Sequence, residues 1–127
     1  MSATETADRY RLQSLQYLDN AWRSLEAGEP AKASEFLWGS LAEALKAVAA
    51  SRGKLIKSHG ELWKYARESA KEMGDESVYT VFSEASGLHS NFYEAERTSD
   101  DIRPFVGRIR ETVIKVLSLL PEPEVGP

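Results

Sequence analysis

Apolar residues recur every three or four positions along most of the chain, and this period restricts its fold more than any other feature. The first run is Leu12, Leu15, Leu18, Trp22 and Leu25, which falls on one stripe of a helix. No segment shows the two-residue alternation and turn chemistry of β-strands. The chain is therefore predicted to be all α-helical.

Glycine, proline and capping residues divide this pattern into segments. Gly28 suits the position after a helix, and Pro30 suits the first turn of the next one. Ser58 is followed three residues later by Glu61, which is the spacing of a capping box. Ser99 or Asp100 is predicted to cap the last helix. The predicted helices begin with the stripe from residue 12 and continue with about 30–51, 58–73, 76–95 and 99–120.

The connections between these helices are short, so sequence neighbours are predicted to pack antiparallel. Pro104 is assigned to the first turn of the fifth helix, where a missing N–H costs little. We predict an antiparallel bundle of four to five helices that forms a single domain over residues 1–120. The tail at 121–127, rich in proline, is predicted to be flexible.

Composition narrows the classes of function. Acidic residues number 20 and basic residues 16, giving a net charge of −4, which argues against a duplex-DNA binder. The chain has no cysteine, which excludes disulfides, thiolate nucleophiles and Cys-based zinc sites. No apolar run reaches the roughly 20 residues that span a bilayer, and the first ten residues do not resemble a signal peptide. A soluble cytoplasmic protein with no membrane association is predicted.

The chain lacks the usual sequence motifs for metals and cofactors. The chain has two histidines and no Glu-x-x-His, and it lacks both a Gly-x-Ser-x-Gly elbow and a phosphate-binding glycine loop. We predict no metal and no cofactor. The basic residues Arg52, Lys54 and Lys57 precede the third helix, where they either meet an anion at its N-terminus or form a solvated loop.

The sequence "GLHSNFYE" at residues 87–94 raises the question of a site. His89 borders the apolar side of the fourth helix, with Phe92 and Tyr93 one turn further on. Gly87 and Asn91 are both unfavourable inside a helix, which indicates either a close helix approach or polar contacts. Two interpretations stay open, a core-edge histidine and a functional one.

His59 and the tryptophans are further candidates. His59 follows the predicted cap of the third helix, where it either orders the loop or acts with Arg52, its only nearby partner in sequence. Trp22 is assigned to the core by default. Trp38 and Trp63 fall beside their apolar stripes, and half-exposed tryptophans often mark interfaces.

Three blocks in order, "GEPAKASEFLWGSLAEALKAVAA", "SHGELWKYA" and "LHSNFYE", resemble the archaeal repeat-associated PaREP family over residues 21–93. That family is grouped with the HEPN-like helical bundles. The resemblance implies a bundle that dimerises through its helix faces. HEPN-like ribonucleases carry an arginine four to six residues before a histidine on a late helix; His89 lies in that neighbourhood, but no arginine precedes it in "VYTVFSEASGL".

We therefore predict a non-catalytic homodimeric module that contacts another protein as its partner through the surface around His59, Trp63, His89 and Tyr93. The alternative is a degenerate, toxin-like, metal-independent ribonuclease that uses His89, helped across a dimer by Tyr93, Asn91 or Arg52. The acidic charge does not favour RNA. A tetratricopeptide-like adaptor would need at least three helical repeats, and the sequence shows no 34-residue periodicity beyond the first helical hairpin. Whether His59 and His89 share a cleft is left open by the sequence.

Overall fold

The computed structural model describes residues 2–94 and 97–121, with side chains for 2–89 and 97–121. Those residues contain no β-strand, and the all-α prediction is confirmed. None of the helices in the described part of the chain is long and apolar enough to cross a membrane. The five helices are α1 (Ala3–Glu26), α2 (Pro30–Ser51), α3 (His59–Met73), α4 (Ser77–Glu94) and α5 (Ser99–Leu117).

Helix α1 begins nine residues before Leu12, where the apolar pattern starts. Ser2 is its N-cap, and the Ser2 hydroxyl accepts the N–H of Glu5 at 3.1 Å. The residues between the cap and Leu12 include no Leu, Ile, Val or Phe. The apolar period therefore does not predict that the helix begins before Leu12. Ser58 caps α3 as predicted and accepts the N–H of Glu61.

The cap of α5 differs from the prediction. Thr98 is the N-cap, not Ser99 or Asp100, and Thr98 and Asp101 exchange both bonds of a capping box. The helix ends at Leu117, before the predicted limit, and Pro104 lies inside it as the sixth residue from Ser99 rather than in its first turn. The flexible tail predicted at 121–127 lies, apart from residue 121, outside the described part of the chain.

Helix α2 is the centre of the bundle. It packs against α1, α3, α4 and α5, so almost its whole circumference is covered. This is why Trp38, predicted at the edge of its stripe, is only 5% exposed. The fully buried apolar side chains of α2 are Ala33, Leu37, Leu41, Ala44, Leu45, Ala47, Val48 and Ala49.

Helix α1 meets α2 through small residues. Ala7, Ser14 and Ala21 recur every seven positions and are at most 4% exposed. The Ser14 hydroxyl donates to the carbonyl of Ser40 at 2.6 Å. A Cβ at Gly39 would lie 2.9 Å from the ring of Tyr17, so only glycine fits there without displacing that ring. We call these contacts the small-residue seam.

The apolar stripe that predicted α1 does not lie in this seam. Leu12 is 58%, Leu15 40% and Trp22 47% exposed, and only Leu25 of that stripe is fully buried. The default assignment of Trp22 to the core is therefore wrong. The reason is geometric: small residues allow α2 to approach closely along one side of α1, and Leu12, Leu15 and Trp22 lie on another side of the helix.

Helix α3 runs in the same direction as α2, against the antiparallel expectation for sequence neighbours. The ring of Trp38, early in α2, lies beside His59 at the start of α3. Arg52, just after α2, pairs with Glu72 near the end of α3. The connection turns at Arg52 and Gly53, whose N–H groups bond to carbonyls of the last turn of α2, and residues 54–58 then lead back to the start of α3.

Candidate functional site

Three aromatic rings from different helices meet at one edge of the bundle. The centroids of His59 and His89 are 6.0 Å apart, and the ring of Trp38 lies 6.0 Å from His59 and 5.6 Å from His89. The sequence left open whether the two histidines share a cleft, and they do lie side by side. Together with Glu35 we call these side chains the histidine cluster.

Glu35 holds one of the two imidazoles. Its Oε2 lies 2.7 Å from Nδ1 of His89, and the two side chains are 35% and 26% exposed. An ionised carboxylate can only accept, so in this pair Nδ1 of His89 carries a proton and donates it. The bond to Glu35 thus engages Nδ1 of His89.

The cluster stands on the hydrophobic core. Trp38 packs against Phe82 of α4 at 5.3 Å, which fixes its ring beneath the two histidines. Trp63 meets the same phenylalanine edge-on at 4.8 Å, with Tyr79 at 5.8 Å on another side. Trp63 is partly buried and packs against the core, so it supports the cluster from below through Phe82.

Arg52 is engaged elsewhere. Its guanidinium makes two bonds to the carboxylate of Glu72, at 2.8 and 2.7 Å, and one to the hydroxyl of Tyr65 at 3.4 Å. The bond from Arg52 lowers the pKa of Glu72, and the pKa of Arg52 is raised in return. The sequence suggested Arg52 as the partner of His59, but Arg52 pairs with Glu72. The ring neighbours of His59 are Trp38 and His89.

The anion interpretation of the basic loop also loses its basis. The carboxylate of Glu61 accepts the N–H of Lys57 at 2.6 Å, so the start of α3 already holds an anionic group from its own chain. Lys54 lies over the ring of Tyr65, 5.5 Å from its centroid. These contacts favour the alternative that the loop is a structural connection.

Gly87 does not mark a close helix approach. A Cβ placed there would meet nothing within 4 Å, and the residue is exposed. The side chains of Asn91, Phe92 and Tyr93 lie outside the described residues, so their predicted contacts stay predictions.

Sequence reasoning missed Glu35. It lies three residues before Trp38, so both project from neighbouring positions on the same side of α2. A carboxylate in a helix that is otherwise mostly apolar was the available signal. Recognising its partner required the packing of α2 against α4, because 54 residues separate Glu35 from His89.

A second surface lies on α1 and α5. A groove of about 490 Å³ runs between the two helices, lined by Leu18, Asp19, Trp22, Arg103, Val106, Gly107 and Arg110. Leu12 and Leu15 precede Leu18 and Trp22 at helical spacing in α1, and Ile114 follows Arg110 by four residues in α5, so these exposed side chains fall on the same sides of their helices as the groove. We call this surface the α1–α5 face. It shares no residue with the histidine cluster.

The histidine cluster has the groups for acid–base chemistry, two imidazoles and a carboxylate that fixes one of them. Among the described residues, no three His, Cys, Asp or Glu side chains come together as a metal site would require. The two imidazoles and the carboxylate provide groups for proton transfer and for hydrogen bonding with a ligand.

The fold and these two surfaces define an all-α bundle that is built around one central helix. Residues 9–113 match the archaeal PaREP1/PaREP8 family, and the chain belongs to that family. This confirms the family resemblance seen in the three sequence blocks. No curated protein and no solved structure matches the chain.

Proposed function

We propose that this protein is a non-catalytic homodimeric interaction module of the HEPN-like type. The observation that carries the proposal is the concentration of exposed large hydrophobic residues. Of the five in the described part of the chain, Leu12, Leu15, Trp22 and Ile114 belong to the α1–α5 face, and only Leu55 lies elsewhere. Contiguous apolar surface of this kind is typical of protein–protein contacts.

The histidine cluster supplies the surface for a further protein partner. Its elements are α2, α3 and α4, so it stays accessible when the α1–α5 face is covered. His59 is exposed at the first residue of α3, and both His89 and Glu35 are partly exposed. In this proposal the ring cluster is a contact surface, and Trp63 holds it in place through Phe82.

The second candidate function is a metal-independent ribonuclease, and the proximity of His59 to His89 favours it. One imidazole would accept the proton of the attacking 2′-hydroxyl as its oxygen bonds to phosphorus. The other would protonate the leaving 5′-oxygen as the P–O bond breaks. Glu35 would orient His89, as the carboxylate does in hydrolase triads. The net charge of −4 weighs against an RNA substrate.

The test combines mass and activity. Light scattering on the eluting protein should give twice the chain mass of 14.2 kDa, and incubation with a mixed RNA pool should leave the RNA intact. A monomer at 100 µM would refute the module as proposed.

Cleavage that disappears in His89→Ala and falls in Glu35→Gln, with unchanged helicity, would instead establish the ribonuclease. Lys57→Ala, on the neighbouring loop and outside the cluster, is the matched control and should leave any cleavage unchanged.

A further inference from the structure

The charges along the α1–α5 face differ between its two walls. On the α1 wall the groove is lined by Asp19, and on the α5 wall by Arg103 and Arg110. Neither arginine forms an ion pair within the described residues, whereas Asp19 is held by Arg23 of its own helix at 2.9 Å. The α5 wall thus carries two arginines, and the α1 wall carries one carboxylate that is shared with Arg23, with apolar side chains between them.

A surface with this pattern is complementary to itself. In a two-fold dimer the same patch lies on both subunits, and residue i of one copy contacts residue j of the other and the reverse. Placing α1 of one copy against α5 of its partner brings Asp19 towards the two arginines twice. The apolar residues Leu15 and Trp22 are then covered between the charged pairs.

The size of the face also suits a dimer. The 19 residues of α5 extend about 28 Å, and two helices side by side are about 20 Å wide. The flat footprint is roughly 560 Å², and the accessible area of side chains exceeds their footprint. A standard interface takes about 800 Å² from each partner, so the face is of the right order.

Two arginines beside a tryptophan would also suit an anionic bilayer surface. Asp19 lies in the same groove, and the chain carries a net charge of −4, so repulsion opposes that binding. The charge pattern favours protein over lipid.

We infer that the α1–α5 face is the interface with a second copy of this chain, with Asp19 of each copy paired to Arg103 and Arg110 of the other. The inference rests on the proposed homodimer and adds its location and its charge pairing. It also implies that the histidine clusters of the two copies are not part of the interface.

Charge reversal tests the pairing. Asp19→Arg should raise the dimer dissociation constant at least tenfold in sedimentation experiments, because it places like charges across the interface. The double variant Asp19→Arg with Arg110→Asp should recover at least half of that loss on a logarithmic scale. If the single variant dimerises like the unaltered protein, or the double variant is no better than the single one, the pairing is wrong.

Cysteine crosslinking tests where the dimer interface lies. The chain has no natural cysteine, so each variant carries a single reactive thiol. Single cysteines at Leu15, Trp22 and Ile114 should give dimers with a short bifunctional maleimide, and Leu55→Cys, similarly exposed in the connection between α2 and α3, should not. A protein that is dimeric by light scattering but crosslinks only through Leu55→Cys would keep the proposed function and overturn this inference.

A monomer in light scattering would overturn both proposals. Binding of that monomer to vesicles of phosphatidylserine and phosphatidylcholine, lost in Trp22→Ser, would assign the face to lipid instead. Equal behaviour of Trp22→Ser and the unaltered protein in all of these experiments would remove the face from any contact role.

Discussion

The two sides of α1 show how differently one helix can use its residues. In the small-residue seam Ala7, Ser14 and Ala21 are almost completely buried, whereas Leu12 and Trp22 are about half exposed. The smallest side chains make the closest contact, because they let two backbones approach. The larger apolar side chains are left for another partner. Residue hydrophobicity alone therefore did not decide which side of α1 faces the core.

The largest effect should come from enlarging a residue in the seam. Ala21→Leu inserts three carbon atoms at a position with no exposed surface and should lower the free energy of unfolding by about 3 kcal/mol. Gln13→Ala, at an exposed position of the same helix outside the α1–α5 face, is the matched control and should change it by less than about 0.5 kcal/mol. Urea denaturation followed by circular dichroism measures both, and equal losses would contradict the two-sided description.

Gly39→Val should cost about 2 kcal/mol, since its side chain collides with the ring of Tyr17. Gly87→Ala is the comparison: it meets open space inside a helix and should gain about 1 kcal/mol. Thermal unfolding should thus move in opposite directions for two glycines that both lie inside helices. A stabilised Gly39→Val would show that the seam is looser than its distances indicate.

Ser14→Ala removes the hydroxyl that donates to the Ser40 carbonyl and should lower stability by about 1 kcal/mol. The seam keeps its shape in this variant, so the loss reports the hydrogen bond alone. Gln13→Ala, an exposed neighbour, serves as the control in the same denaturation series. No difference between the two variants would mean that packing accounts for the whole seam.

Lowering the pH should weaken the contacts of carboxylates near the ends of the helices, and it should leave the small-residue seam unchanged. Hydrogen bonds from Ser77, with help from Lys115, lower the pKa of Asp75, and the backbone N–H of Thr98 lowers that of Asp101. A folded-state pKa below the unfolded value gives stability that is complete above pH of about 4 and is lost as pH falls through the folded pKa.

The unfolding free energy should therefore decline below pH of about 4. Asp75→Asn should show a shallower decline over the same range, because one of the shifted carboxylates is gone, while Ser14→Ala should shift the whole curve without changing its slope. Urea denaturation at several pH values measures how the free energy of unfolding changes with pH. An unchanged slope in Asp75→Asn would contradict the assignment.

Much of the architecture could be predicted from local signals. The limits of α2 and the Ser58 cap of α3 follow from proline, glycine and capping spacing, which act over a few residues. The early start of α1 was missed because its first turns lack large apolar residues. The exposure of Trp22 was missed because burial depends on which helices cover α1, and that is a property of the whole bundle.

Only part of the candidate site could be predicted, because local signals select single residues and do not show which residues meet in the folded bundle. His59 and His89 could be selected as unusual residues in their helices, and the structure brings them together. Glu35 could not be paired with His89 until α2 and α4 were placed side by side. The partnership of Arg52 with Glu72 also depends on the direction of α3, which short-range patterns do not encode.

That direction has a consequence for how the chain tolerates changes in length. The connection at residues 52–58 uses Arg52 and Gly53 to turn at the end of α2, so only residues 54–58 remain to lead back along that helix to the start of α3. A glycine added to this connection would only lengthen it. Removal of a single residue would draw His59 away from Trp38 and His89, so the length of one short loop sets the register of the ring cluster.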